Sequence, residues 1–305
     1  MDYLGIDIGF GEVKAVVLNR ELEVLQVTSF PTLIAGYTPA PLEKEKKVFD
    51  YGGRRYVLGQ DARGEPSCFQ LTDFEDIKEF GPLLFRGVIE RNGIKAGDVV
   101  VCASIAPGWW PEREELATAL RGEEPAVVVV PQGQGAFVAA RRENNLEGAE
   151  NVLVLDFGYN TVDYLWIEVK GDRFEVTRGN TLPRLGVMRL VKLFKKELRG
   201  ELRELPDHTV KEMLRVGQGK LYGDRVNLAG EKRRGVEKYC AMLMRELKND
   251  TGELWRETDI LICTGGGVYY FEPRKNLPHH RVVIPSEPEL ANARGQAIWI
   301  AEVGK

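Results

Sequence analysis

Leu4-Gly5-Ile6-Asp7-Ile8-Gly9-Phe10-Gly11-Glu12-Val13-Lys14 stands near the start of the chain, and Leu153-Val154-Leu155-Asp156-Phe157-Gly158-Tyr159-Asn160-Thr161-Val162-Asp163 stands halfway along it. The offset is constant: Asp7 to Asp156, Gly9 to Gly158 and Val13 to Val162 are each 149 positions. Each copy is an apolar run ending in Asp, then a Gly turn, then a second β-prone run, which reads as a strand–turn–strand unit. Its tip carries a carboxylate and backbone amides. An offset of 149 is too long for a solenoid period and marks two related halves. A chain of 305 residues also suggests two domains at roughly 150 residues each.

Working outward, residues 3–8, 12–18 and 22–28 read as three strands, with turns at Gly9-Phe10-Gly11 and Asn19-Arg20-Glu21. Residues 31–66, with Pro31, Pro39, Pro41 and the charged run Glu43-Lys44-Glu45-Lys46-Lys47, read as a smaller peripheral lobe. Apolar spacing from Phe74 through Val88 predicts a helix over 74–92. Asp98 to Ile105 and Ala126 to Val130 read as buried strands, the second ending at Pro131-Gln132-Gly133-Gln134-Gly135 before a helix over 136–144. In the second half the repeated hairpin at 152–169 and a strand at 173–178 restore the β-β-β order. Residues 185–250 read as mostly helical, with a break at Gly217-Gln218-Gly219. A short buried strand, Asp259 to Cys263, ends in Thr264-Gly265-Gly266-Gly267, and a helix is expected from Glu289 to about Val303. Three antiparallel strands followed by strands alternating with helices, done twice, is a duplicated α/β architecture.

Apolar residues make up 43%, charged residues 29%, and the net charge is −4. This balance gives no bulk attraction to nucleic acid or an anionic membrane. The start lacks a basic signal-peptide region, and no apolar run approaches the roughly 20 residues that cross a bilayer. The four cysteines form no Cys-x-x-Cys pair, and Cys102 and Cys263 read as small buried hydrophobes. A reducing, cytoplasmic setting is the expectation. Arg54-Arg55, Lys195-Lys196 and Lys232-Arg233-Arg234 are interleaved with acids and read as solvated faces. His279-His280 is a metal candidate or an exposed loop pair, and Trp109-Trp110 is an interface or packing between the lobes.

The hairpin tips carry the chemistry. Gly9 and Gly11 permit a tight turn that brings N–H groups against phosphate oxygens, and Lys14 supplies a point charge. Asp7 would repel a phosphate, so its natural role is to orient waters on a Mg²⁺ ion. The second tip repeats Asp and Gly as Asp156 and Gly158, while Asp163 replaces Lys14 and Asn160 and Thr161 add hydrogen-bonding groups. A single copy reads better as an ordinary hairpin with a capping Asp; two copies in register favour a phosphate clamp. Gly265, Gly266 and Gly267 after a buried strand allow close backbone approach to a ligand, or simply a strand-to-helix turn. Tyr269 or Tyr270 lies along a base or in the core. Gln132 fits the orientation of an attacking water, or ordinary turn chemistry. Neither a Walker loop nor a dinucleotide fingerprint is present.

These residues resemble the actin-like ATPases, within the superfold shared with DnaK-type chaperones and sugar kinases, and most closely the ParM/StbA-type and archaeal actin-like filament proteins. Asp7 to Lys14 and Leu155 to Asp163 look like the two phosphate segments. Pro131 to Ala140 and Asn292-Ala-Arg-Gly295-Gln-Ala look like the two connecting segments, and Ile262 to Tyr270 looks like the adenosine segment. Asn180 to Gly186 ahead of a helix also fits the ParM-type relatives. The resemblance implies an α/β, duplicated actin-like (RNase H-like) fold with two lobes around a nucleotide cleft. The expected lobes are 1–148 plus 290–305, and 149–289, with peripheral sub-lobes at about 31–66 and 185–250. ATP or ADP and Mg²⁺ would be the cofactors. Asp7 and Asp156 would manage Mg²⁺ through water. Gly9, Phe10, Gly11, Lys14, Gly158, Tyr159, Asn160 and Thr161 would line the phosphates. Gly265, Gly266, Gly267 and Tyr270 would border the adenosine, and Gln132, Asp156 and Asp7 would form the catalytic set.

The function implied is an ATP hydrolase that polymerises into filaments for plasmid segregation or another cytoskeletal task, with a DNA-bound adaptor as partner and no direct reading of nucleic acid. The alternatives are a non-polymerising scaffold of the same fold and a small-molecule kinase, which needs a carboxylate base that is not evident beyond the hairpin tips. A DnaK-type chaperone is disfavoured, because no substrate domain comes after the last connecting segment.

Overall fold

The computed structural model describes residues 1–39, 42, 45–121, 127–144 and 146–303. Pro41, Glu43, Lys44 and Ala126, named above, lie outside the described residues. The chain forms two compact units, Met1–Arg142 with Leu290–Lys305, and Glu143–Glu289.

In the first unit β1 (Asp2–Ile8), β2 (Glu12–Leu18) and β3 (Val24–Pro31) form an antiparallel meander. A small sheet comes next, made of β4 (Leu33–Gly36), β5 (Val48–Tyr51), β6 (Arg54–Leu58) and β7 (Phe69–Gln70) in the order β5-β6-β4-β7. The long helix α1 (Phe74–Arg91) starts at a capping box in which the Asp73 side chain accepts from the Asp76 N–H. It continues through Pro82. Then come β8 (Val99–Ile105), α2 (Arg113–Arg121), β9 (Val127–Pro131) and α3 (Gln134–Glu143). The main sheet runs β3-β2-β1-β8-β9, with β1, β8 and β9 parallel. Parallel strands covered on both faces read as continuous apolar runs, and Val99 to Ile105 is such a run.

In the second unit β10 (Asn151–Phe157), β11 (Thr161–Lys170) and β12 (Arg173–Pro183) repeat the meander. Three helices, α4 (Val187–Glu197), α5 (Asp207–Val216) and α6 (Ala229–Thr251), share a core with the sheet, α4 packing on both α5 and α6. Between α5 and α6 lie β13 (Gln218–Leu221) and β14 (Asp224–Asn227). The unit continues with α7 (Leu254–Glu257), β15 (Ile260–Thr264), α8 (Pro273–Asn276) and β16 (Val282–Val283). Its sheet order, β12-β11-β10-β15-β16, repeats the first strand for strand. The chain then returns to the first unit as α9 (Ala291–Val303), which packs on β1, β2 and β8.

Close approach explains where α9 sits. A Cβ on Gly5 would lie 1.8 Å from the Ala293 carbonyl oxygen, and one on Gly295 would lie 1.7 Å from the Gly135 carbonyl oxygen. The helix therefore touches the backbone of β1 and α3 with no side chain between.

Several expectations change. The break expected at Gly217-Gln218-Gly219 is the start of a β-hairpin, β13–β14, inside a stretch read as helical. Its two turn residues, Tyr222 and Gly223, both have positive φ, the backbone of a tight primed turn. The third strand of the first meander lies at 24–31 rather than 22–28, because Leu22 adopts φ +64° in the turn. Trp109 packs inside the first unit, edge-on to Phe10 and stacked on Phe74. Among the described residues, no helix is long and apolar enough to cross a membrane.

Candidate functional site

Each unit gathers its predicted residues at the carboxyl ends of its parallel strands, the place where open α/β sheets bind ligands. In the first unit Asp7 lies near the end of β1, and only 6% of it is exposed. It stands directly opposite Lys14 in the hairpin ladder, and Ser104 on β8 donates to its Oδ1 at 3.1 Å. Burial pushes the Asp7 carboxyl above its ordinary value, while Lys14 and the Ser104 hydroxyl pull it back. Gln132 comes directly after β9, and its N–H donates to the Ile105 carbonyl at 2.7 Å. The helix that begins two residues later is capped by a distant side chain. Asn292 Oδ1, on α9, accepts from the Gly133 N–H at 2.9 Å and the Ala136 N–H at 3.3 Å.

In the second unit Asp156 lies near the end of β10, and only 3% of it is exposed. The same rung that carries Lys14 in the first hairpin carries Asp163 here, so two carboxylates face each other. Thr161 Oγ1 donates to Asp163 Oδ2 at 3.2 Å, and Thr181 Oγ1 donates to Oδ1. Gly265, with φ +83°, abuts Asp156: a Cβ there would lie 2.2 Å from the Asp156 Oδ1. A Cβ on Gly267 would lie 2.5 Å from the Phe157 Cβ, whereas one on Gly266 would meet nothing within 4 Å. Two of the three glycines thus answer to internal packing and one to open space. The chain turns there through a 3₁₀ segment, Gly266–Tyr270, and not through the expected α-helix.

The loops at the two tips share one construction. In the first, the Gly9 N–H donates to the Glu12 carbonyl at 3.1 Å; in the second, the Gly158 N–H donates to the Thr161 carbonyl at 3.0 Å. Neither glycine uses a positive φ. A Cβ at either position would sit 3.2 Å from the carbonyl oxygen three residues on, which is the local reason for glycine.

The carbonyls of both loops are held from behind. In the second loop Gly158, Tyr159 and Asn160 accept from the N–H groups of Val187, Met188 and Gly186 at 3.0, 3.1 and 3.1 Å. In the first, Gly9 accepts from Thr32 Oγ1 at 2.6 Å, Phe10 from Gln70 Nε2 at 2.6 Å and Gly11 from the Thr32 N–H at 3.1 Å. A trans peptide points its N–H opposite to its C=O. Each anchored carbonyl therefore turns the next residue's N–H the other way, and successive amides form a nest suited to an anion.

Sequence reasoning missed Thr32, Gln70, Ser104, Gly186 and Lys211, because each reaches the site from a distant segment. Lys211 on α5 lies over two predicted rings, 5.4 Å from the Tyr159 centroid and 6.0 Å from that of Tyr270. Phe10 contributes only backbone, its ring being packed on Trp109. The two nitrogens of His279 face the carbonyls of Arg281 and Thr258 at 3.1 and 3.0 Å, so this ring is occupied structurally.

The donor set suits a magnesium ion. Hard carboxylate oxygens are available at each tip, from Asp7 in the first unit and from Asp156 and Asp163 in the second, all of them buried. Among the described residues, no group of three or more His, Cys, Asp or Glu side chains comes together as a metal cage.

The family model for the N-terminal domain of actin like proteins matches residues 5–136, and the model described as archaeal actin homologue MreB-like, C-terminal, matches residues 154–275. No curated protein matches the sequence. Among solved structures, Ta0583, an archaeal actin homolog, is 19% identical with a TM-score of 0.79, over 99% of this chain and 100% of that one. A 15-stranded ParM filament from Clostridium botulinum is 16% identical with a TM-score of 0.71, over 99% of both chains. Bacillus thuringiensis ParM with AMPPNP is 17% identical with a TM-score of 0.62, over 100% of this chain and 99% of that one. At such identities these likenesses carry the fold. With an actin-like family model matching each half and the duplicated actin-like fold running end to end, the chain belongs to the actin-like ATPase superfamily.

Proposed function

We propose that this chain is a cytoplasmic ATP hydrolase that binds Mg-ATP through both carbonyl-anchored loops and self-associates into filaments. The observation that carries the reading is the repeated construction. Two loops, 149 residues apart, each present amides beside a buried carboxylate at the end of a parallel strand. The amides of Phe10, Gly11, Tyr159, Asn160 and Thr161, with Lys14, would bind phosphate oxygens. Asp7 and Asp156 would orient waters on Mg²⁺, which when bound neutralises phosphate charge. Gln132 would hold the attacking water, and Gly266 and Tyr270 would border the adenosine, with Gly265 and Gly267 shaping that turn. Related structures support the cofactor and the assembly: Ta0583 is described in complex with ADP and the Clostridium botulinum ParM as a filament. A head-to-tail contact does not close on itself and so yields a filament from one subunit type. Plasmid segregation through a DNA-bound adaptor is the cargo role proposed with it.

The test combines sedimentation and phosphate release in one sample after adding Mg-ATP. A pellet with phosphate release supports the reading. A pellet without it favours a scaffold, and soluble protein that turns over only with an added sugar favours a kinase. Asp7→Ala and Asp156→Ala, each alone, should abolish binding if one nucleotide engages both loops; retained binding in either overturns that.

A further inference from the structure

The two loops differ in what anchors them. In the second unit the donors are backbone amides at the start of α4. In the first unit two of the three are side-chain groups, Thr32 Oγ1 and Gln70 Nε2. Both come from one end of the small sheet. Gln70 ends β7, Leu33 stands opposite it on β4, and Thr32 immediately precedes Leu33. Thr32 is fully buried and makes two of the contacts, through its N–H and its hydroxyl.

We infer that Gln70 and Thr32 are positioning residues for the first phosphate loop. Without an anchor a loop peptide is free to rotate about its flanking bonds and exchange N–H for C=O at the ligand. A carbonyl turned toward a phosphate repels it. Gln70 holds the Phe10 carbonyl and so keeps the Gly11 N–H on the far side; the Thr32 hydroxyl holds the Gly9 carbonyl and does the same for the Phe10 N–H. Neither side chain touches the ligand in this arrangement. Their effect is on affinity for the polyphosphate, and it joins the phosphate loop to the small sheet by side-chain hydrogen bonds. The inference rests on the Mg-ATP reading above.

A Gln70→Glu variant gives a readout that general destabilisation would not. At about pH 8 its carboxylate has no proton to donate and faces the Phe10 carbonyl; at about pH 4, just below the ordinary glutamate value, the protonated form predominates and donates as Gln70 does. Mg-ATP affinity, measured with a fluorescent analogue, should fall about tenfold at the higher pH and return toward the parent value at the lower one. Gln70→Leu should lose a similar factor at every pH. Thr32→Val, which keeps the shape and removes the hydroxyl, should also weaken binding while thermal unfolding confirms that it folds. Parent-like affinity for Gln70→Glu, Gln70→Leu and Thr32→Val at both pH values overturns the inference and leaves the nucleotide reading intact. Parent protein that binds no Mg-ATP overturns the nucleotide reading, and the inference with it.

Discussion

Asp156 and Asp163 stand directly opposite each other in the β10–β11 ladder, both buried, on the rung that pairs Asp7 with Lys14 in the first hairpin. One half of the duplication sets its carboxylate against an ammonium, and the other sets it against a second carboxylate. Residues directly opposite share a face and interact, and like charges there are unfavourable. Asp163→Asn should therefore stabilise the metal-free protein by about 1 kcal/mol, since the amide oxygen still accepts from Thr181. It should also shrink the stabilisation gained on adding Mg-ATP. Thermal unfolding in chelator and in Mg-ATP checks both, and a less stable variant in chelator refutes the like-charge account.

Asp7 carries a pH signature of its own. Its carboxyl is raised in the folded state by burial, against the pull of Lys14 and Ser104. Its contribution to stability is present below the unfolded carboxyl value and is lost as pH rises through the folded one. Asp7→Asn keeps an oxygen to accept from Ser104 and removes the titration. The variant should gain on the parent as pH rises from about 4 to 8 in urea unfolding of metal-free protein. Parallel profiles would show that Asp7 is not held at a cost.

The glycines separate into two kinds. Gly295→Ala drives a methyl to 1.7 Å from the Gly135 carbonyl oxygen, so α9 must move off α3, at a cost of more than about 3 kcal/mol. Gly266→Ala meets nothing within 4 Å and should change stability by less than about 0.5 kcal/mol. It should nevertheless weaken Mg-ATP binding, because the open space it fills is the proposed ligand space. Unfolding and binding titrations on the two variants give the comparison; equal stability losses would contradict it.

Gln132 sits where the β9 end, held by the Ile105 carbonyl, meets a helix capped by Asn292. Gln132→Ala should bind Mg-ATP as the parent does and release phosphate about 10²-fold more slowly. A loss of affinity with unchanged turnover would move this residue from the chemistry to binding.

Most of the fold is legible in the chain itself. Apolar runs, glycine turns and the 149-residue offset act over a few neighbouring residues, and they announce the two meanders, the buried parallel strands and the duplicated order before any coordinates exist. Asp7, Gly9, Asp156 and Gly158 are visible for the same reason: each ends a strand pattern at a repeated place. The hairpin between α5 and α6 hides because its strands are four residues each and offer one large apolar residue apiece, Leu221 and Val226, too few to show an alternation. The anchors hide more deeply. Thr32, Gln70 and Ser104 carry no local pattern that distinguishes them from any other polar residue. Their roles arise only when strands and helices far apart in sequence bring a donor within hydrogen-bonding reach of a loop carbonyl or a carboxylate, as Gln70 does for Phe10 across 60 positions. Periodicity reports which face of an element is buried; a hydrogen bond also needs distance and direction, and those exist only after the elements have packed.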